Sequence, residues 1–365
     1  MNPSHRALFG PLTVGSMTIP NRFAMAPMTR RASPDGVPGP DVAAYYARRA
    51  AGGVGLIITE GVRLADPAAA WPLSIPTLAE GAPLEGWRAV TAAVHAEGGV
   101  IAAQLWHQGG ERDDSDGVQP VSPSGVNSVG TARGRALRTE ELPGVAGLYA
   151  DAARHAKSVG FDAVELHGAH GYLLDEFLWD KTNRRTDGYG GSSAARTRFP
   201  AEVVAAVREA VGPGFPIIFR FSQWKSNVYD AQLVDNPADL EAMLTPLVAA
   251  GVDVLHPSTR RHYVPAFGDS PLSLAGWTKK VTGVPVISVG SVGLSTEFHP
   301  GQVNRSTIAS APVDRLVEQF EAGEFDIAAI GRALLADPGW VNRLRDDTLG
   351  EFAGYHAETA LAGLH

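Results

Sequence analysis

Eight short apolar runs, each followed by a crossover pattern, constrain this chain more than any other feature of it. They lie near Arg22–Met25, Val54–Thr59, Val100–Leu105, Ala163–His167, Ile217–Phe221, Val252–His256, Val286–Val289 and Ile327–Ile330. The runs are continuous rather than alternating, as expected when both faces of a parallel sheet are covered. Helical patterns fill the gaps at Val42–Ala51, Leu84–Glu97, Leu148–Val159, Ala194–Val211, Ala238–Ala250 and Val313–Ala322. The sixth crossover, around Leu272–Val281, is short, and the last run leads to a helical pattern at Pro338–Leu344. Several patterns stop on glycine, at Gly52, Gly98, Gly160, Gly212, Gly251 and Gly323. Glycine accepts the left-handed conformation that a helix end needs. Strand and crossover in alternation spell a parallel sheet. Eight strands also close a barrel that its own side chains fill. The expected fold class is α/β, a (β/α)8 TIM barrel over residues 1–365 as a single domain. An open doubly wound sheet, or two domains, is the alternative.

Ahead of the first run, Leu12–Ile19 reads as a β-hairpin with a glycine turn, placed to plug the N-terminal mouth of a barrel. From Trp106 to Pro143 the chain is rich in Gly, Ser, Asp and Pro. This long excursion after the third strand, residues 107–143, has the character of a lid or binding loop. Residues 294–310 form a second irregular insert.

Composition removes whole classes of chemistry. There is no cysteine. Disulfides, Cys-ligated zinc, Cys-ligated iron–sulfur clusters and a cysteine nucleophile are excluded. The net charge of −8 argues against nucleic acid and anionic membrane as partners. Met1–Leu12 has no apolar signal region, and no run approaches the ~20 apolar residues of a membrane span. A soluble cytoplasmic protein is expected.

In a parallel barrel the chemistry sits at the C-terminal strand ends. Those ends carry Thr29, Gly61, Gln104 with Trp106, His167, Arg220, His256, Gly290 and Gly331. No ring of carboxylates is present, as metal-dependent enolase-type barrels require. A Schiff-base lysine is also missing, since Lys225 lies five residues past Arg220. Glycines end the last two strands, in Val289-Gly290-Ser291 and Ile330-Gly331-Arg332, where barrels of this kind bind phosphate. No G-x-G-x-x-G or Walker run accompanies them. Gln104 offers a donor and an acceptor to the edge of a flat ring. Arg220 would stabilise negative charge developing on such a ring, by roughly 4 kcal/mol at about 4 Å and an effective dielectric near 20. The corner His167-Gly168-Ala169-His170-Gly171-Tyr172 brings three proton or hydrogen-bond donors to one strand-to-helix turn.

Taken together, several stretches resemble the Old Yellow Enzyme family of FMN-dependent ene-reductases. They are Ala26-Pro27-Met28-Thr29-Arg30, Thr59-Glu60-Gly61, Gln104-Leu105-Trp106, the run from His167 to Phe177, Asn183–Ser192 and Ile330-Gly331-Arg332. The resemblance covers nearly the whole chain. It implies an FMN-binding barrel that takes hydride from NADPH or NADH and passes it to electron-poor alkenes. Pro27, Met28, Thr29, Gly61, Gln104, His167 and Arg220 would then hold the flavin, and Gly290, Ser291, Gly331 and Arg332 its phosphate. His167 and His170 would grip the substrate oxygen, and Tyr172 would deliver the proton. Trp106 and Trp71 would wall the substrate pocket. Small electron-poor alkenes, nitro compounds or nitrate esters are the implied partners, with a monomer or homodimer as the assembly and no metal. Position 170 is His where many members have Asn. Ser222-Gln223-Trp224-Lys225, Arg260–Pro265 and Leu294–Ser310 depart from the family pattern.

Blander readings stand beside these. The two histidines could bind a metal with Glu165 or Asp175, although Glu165 lies on the strand face opposite Leu166. His256 reads as a structural strand-end residue, and Glu60 as an anion paired with backbone or arginine. Arg184 and Asp187 are expected to pin the loop 183–192 by pairing. Arg30-Arg31 and Lys279-Lys280 read as solvated surface. A flavin-free barrel lyase or isomerase acting on a phosphorylated substrate, and a non-catalytic binder of FMN or another ligand, remain open at this stage.

Overall fold

The computed structural model of the chain describes residues 3–297, 299 and 306–365. Eight parallel strands close a barrel in chain order: β3 (Phe23–Met25), β4 (Leu56–Arg63), β5 (Val100–Trp106), β8 (Ala163–His170), β9 (Ile217–Lys225), β10 (Val254–Ser258), β11 (Ile287–Val289) and β13 (Ile327–Ile330). β13 pairs back onto β3 through Ala328↔Phe23 and Ile330↔Met25. The open doubly wound alternative is thereby set aside. Ahead of the barrel, β1 (Leu12–Val14) and β2 (Met17–Ile19) form the expected antiparallel hairpin. Its buried Val14, Met17 and Ile19 pack with Leu56, Ala102, Ile218 and Ile287 from inside the barrel. The hairpin therefore floors the N-terminal mouth and leaves the opposite mouth for function.

The helices α1 (Pro40–Ala51), α2 (Ala82–Ala96), α3 (Leu142–Ser158), α5 (Ser193–Val211), α6 (Pro237–Ala250), α7 (Leu274–Thr282) and α8 (Asp314–Glu321) carry the crossovers. Three begin on a side-chain cap. Ser192, Asn236 and Ser273 accept from the backbone N–H groups of Ala195, Asp239 and Gly276. Such caps are worth roughly 1 kcal/mol each. Five of the six helix-end glycines have positive φ, and Gly52 does not. Gly52 is required for a different reason: a Cβ there would lie 1.9 Å from the carbonyl oxygen of Pro338.

Shorter elements complete the chain. The excursion after β5 contains β6 (Val121–Ser122) and β7 (Arg135–Ala136), which pair with one another. α4 (Leu173–Leu178) follows β8, and α9 (Arg332–Ala336) and α10 (Trp340–Arg345) follow β13. β12 (Thr307–Ile308) pairs with β14 (Tyr355–His356), ahead of α11 (Ala357–Ala360). Much of the insert 294–310 lies outside the described residues.

Some boundaries differ from expectation for identifiable reasons. β10 begins at Val254, because Val252 still donates to Leu247 at the end of α6 and the Asp253 carboxylate is held by Arg208. β4 continues through an irregularity between Ile58 and Gly61 as far as Arg63. The loop 183–192 is pinned by Arg185, not Arg184. Arg185 Nη2 lies 2.6 Å from Asp187, while Arg184 reaches the carbonyl of Lys181. Arg30 and Lys279 are not free surface groups either: Arg30 donates to the carbonyl of Gly363, and Lys279 pairs with Asp326 at 2.8 Å.

Candidate active site

The C-terminal ends of the strands enclose a cavity of about 430 Å³. That size suits a cofactor or drug-sized ligand. Pro27, Met28, Thr29, Gly61, Gln104, Trp106, His167, His170, Tyr172, Arg220, Gly290, Ser291, Gly331 and Arg332 all line it. Trp71 does not. It lies on the loop after β4, where its N–H donates to Gln108 Oε1, and its neighbours Ala70 and Ile75 pack with Trp106. Its loop supports the pocket wall from behind.

Beneath the cavity lies a buried polar layer. Glu165 points into the barrel, accepts from Gln104 Nε2 at 2.7 Å and meets His256 Nδ1 at 2.5 Å. His256 is thus one partner of a buried pair, beyond the strand-end role expected of it. Burial opposes ionisation of Glu165, but His256, Gln104 and Arg220 outweigh it and hold the carboxyl below its ordinary pKa. A carboxylate only accepts. The Gln104 amide is therefore oriented with its NH2 toward Glu165, and its carbonyl oxygen remains for a donor in the cavity. Neither Glu165 nor Asp175 is available to the histidines, because Asp175 pairs with Lys225 at 2.7 Å and both are fully buried.

Above this layer stand the three groups of the corner. The rings of His167 and His170 are 5.1 Å apart and perpendicular, and Tyr172 sits 5.0 Å from His167. Trp106 packs edge-on against Tyr172 at 4.9 Å. His170 has φ +67°. That left-handed region favours Asn, Asp and His among non-glycine residues, so a histidine is one of the few side chains suited to this turn. Its backbone N–H donates to Ser222 Oγ, and the Gly171 N–H donates to Asp175. The buried Lys225–Asp175 pair thereby clamps the corner onto β9. Burial first, then the Arg220 charge, pushes both histidines well below their ordinary pKa, so the rings are neutral near pH 7. Burial raises the Tyr172 pKa, so its phenol keeps its proton.

Glu60 has the structural role expected of it, paired with backbone. One oxygen accepts from the N–H groups of Arg30 and Arg31 at 2.8 and 3.0 Å, which fixes the Pro27–Thr29 segment at the cavity floor. Burial raises its pKa to about 7. At the far end of the cavity, Gly290 has φ +147°, and a Cβ there would lie 2.7 Å from the N of His262. Ser291 Oγ accepts from Arg332 Nη2 at 3.2 Å. A Cβ on Gly331 would meet nothing closer than Met28 Sδ at 3.6 Å. The space beside Gly331 is open to a ligand and is not filled by a protein neighbour.

Reading the sequence missed several lining residues. Trp224, Ser226 and Ser258 border the cavity near His170, and Tyr355 and Leu361 reach it from the C-terminal segment. Trp224 had one available signal, its place in a stretch that departs from the family pattern.

The residues fit a flavin mononucleotide. Arg220 Nε and His167 Nδ1 are buried without a hydrogen-bond partner among the described residues, and both belong to groups that line the cavity. A buried polar atom without a protein partner is accounted for where a bound group supplies one. An oriented amide and a cation face the space for a flat ring, and two strand-end glycines with an arginine face the space for a phosphate.

Comparison with known proteins agrees. Residues 7–349 match the NADH:flavin oxidoreductase / NADH oxidase family. The NADH oxidase of Thermoanaerobacter brockii is 35% identical over 94% of this chain, which spans 51% of that protein. The flavin oxidoreductase hxnT of Emericella nidulans is 32% identical over 93% of this chain and 90% of its own length. Among solved structures, morphinone reductase in complex with tetrahydroNAD superposes with a TM-score of 0.78 at 33% identity, covering 94% of this chain and 91% of the other. The Old Yellow Enzyme homologue of Zymomonas mobilis gives 0.78 at 28% identity, covering 97% and 98%. The barrel and its site define a flavin-dependent oxidoreductase using FMN and NAD(P)H. The chain belongs to the NADH:flavin oxidoreductase / NADH oxidase family, the Old Yellow Enzyme group. This membership sets aside the flavin-free barrel reading. Among the described residues no helix is long and apolar enough to cross a membrane.

Proposed function

We propose that this protein reduces the activated C=C bond of α,β-unsaturated carbonyl or nitro compounds. The observation that carries the reading is the facing of a buried and a half-buried neutral imidazole and a protonated phenol, with the His170 and Tyr172 ring centroids 5.1 and 5.0 Å from that of His167, over an oriented amide and a buried cation. Bound FMN supplies the hydride, after reloading from NAD(P)H. The remaining steps belong to the side chains. His167 and His170 donate hydrogen bonds to the carbonyl or nitro oxygen and stabilise the charge that builds there. Removing one such donor costs about 10²–10³ in rate. Tyr172 delivers a proton to the α-carbon as hydride reaches the β-carbon, a contribution of about 10²–10⁴. Trp106 walls the site and excludes water beside Tyr172. Pro27, Met28, Thr29, Gly61, Gln104 and Arg220 hold the ring of the cofactor, and Gly290, Ser291, Gly331 and Arg332 hold its phosphate.

Anaerobic stopped-flow absorbance tests the reading. The holoenzyme is reduced with NADPH or NADH, then mixed with 2-cyclohexenone or a nitroalkene. Flavin bleaching in the first step and recolouring by the alkene in the second are expected. A reduced enzyme that every activated alkene leaves unchanged would refute the assignment.

A further inference from the structure

Ser258 ends β10 and is buried beside His170. Its Oγ lies 2.8 Å from His170 Nε2 and 3.2 Å from Arg220 Nη2. A guanidinium can only donate, so Arg220 occupies one lone pair of the hydroxyl. The hydroxyl's single proton then needs an acceptor, and His170 Nε2 is in reach. The reverse arrangement sends two donors into Ser258 and leaves that proton unpaired. Buried polar groups are rarely left so.

The ring is also held in place. The Trp224 ring centroid lies 4.4 Å from that of His170, with the planes tilted by 36°. Trp224 Nε1 donates to the Ser258 carbonyl at 3.1 Å, and Ser222 Oγ accepts from the His170 backbone N–H while donating to the Trp224 carbonyl. Burial and the Arg220 charge disfavour a doubly protonated ring. With Nε2 accepting, the one ring proton sits on Nδ1.

We propose that Ser258 is a positioning residue that holds His170 in the Nδ1–H tautomer, making Nδ1–H its donor to the substrate oxygen. The proposal rests on the reading that His170 grips that oxygen. It gives the two histidines different characters. His170 is preset through Arg220 and Ser258. The buried Nδ1 of His167 has no partner among the described residues, so no hydrogen bond at that nitrogen presets its tautomer.

The test uses FMN-loaded holoenzyme labelled with ¹⁵N-histidine. Two- and three-bond ¹H–¹⁵N correlations distinguish protonated from bare ring nitrogens, and comparison with His170→Asn assigns the signal. The wild type is expected to show a protonated Nδ1 and a bare Nε2 at His170. Ser258→Ala should move that signal toward Nε2–H or an exchange average, and Ser258→Thr should restore it. The enone half-reaction should fall about tenfold in Ser258→Ala, less than for a donor lost outright, and recover in Ser258→Thr. Three results overturn the proposal: Nε2–H in the wild type, an unchanged spectrum in Ser258→Ala, or a changed tautomer with an unchanged enone rate. The tautomer is read without turnover. Failure of Tyr172 as acid would leave it standing, and its failure would leave Tyr172 untouched.

Discussion

Two polar layers stacked at one end of the barrel behave oppositely. The lower one, Gln104–Glu165–His256, is joined within itself through contacts of 2.7 and 2.5 Å; His256 Nε2 has no partner among the described residues, and the Gln104 carbonyl oxygen is left for the cavity. The upper one leaves His167 Nδ1, Arg220 Nε and Trp106 Nε1 without partners among the described residues. Burial is similar in both. The difference is that the lower groups pair with one another, whereas the upper ones leave more of their buried polar atoms without a protein partner. A satisfied buried network specifies the core, whereas an unsatisfied one is costly unless something docks on it.

Mutations should separate the layers cleanly. The largest effect belongs above. Tyr172→Phe should slow alkene reduction by about 10²–10⁴ while leaving flavin reduction by NAD(P)H nearly intact, read as two half-reactions in anaerobic stopped flow. An equal fall in both steps would remove the tyrosine from the role of acid. Below, Glu165→Ala strips His256 and Gln104 of their shared acceptor. Unfolding in urea should show a loss of about 3–5 kcal/mol, the usual result of breaking a buried pair from one side. A stability equal to wild type would mean that the lower layer is not structural. His167→Ala, above again, should lower the enone rate by about 10²–10³ and change the urea midpoint little.

Glu60 gives a smaller effect with a definite sign. Its folded pKa, about 7, lies above the ordinary 4.5. The folded state therefore binds the proton more tightly than the unfolded chain. This contribution is full below pH ~4.5 and is lost as pH rises through about 7. Relative to Glu60→Gln, the wild type should lose roughly 3 kcal/mol across that window and then level off. A stability difference that does not change between those limits would show that Glu60 titrates normally.

What the sequence made legible follows the range of the interactions. The barrel was visible because each strand and helix announces itself within one contiguous segment. The His167–Tyr172 corner was visible because its three groups share one short segment. Contacts between distant segments were not visible. Ser258 meets His170 across 88 positions, and Lys225 meets Asp175 across 50. No local pattern encodes such a meeting. Arg184 and Arg185 are equivalent as sequence, and only the turn decides that the second faces Asp187. Trp71 illustrates the same limit, since a tryptophan on a loop gives no sign of which way the loop faces. Arg30 read as surface because the Gly363 carbonyl that it binds lies at the other end of the chain.

A crystal structure of the holoenzyme soaked with a cyclic enone tests the two-layer account most directly. The carbonyl oxygen should sit about 2.7–3.2 Å from a ring nitrogen of each histidine, over a flavin ring between Gln104 and Arg220, with Tyr172 beside the α-carbon. An oxygen held by solvent or by other side chains, with both imidazoles turned from it, would contradict the account.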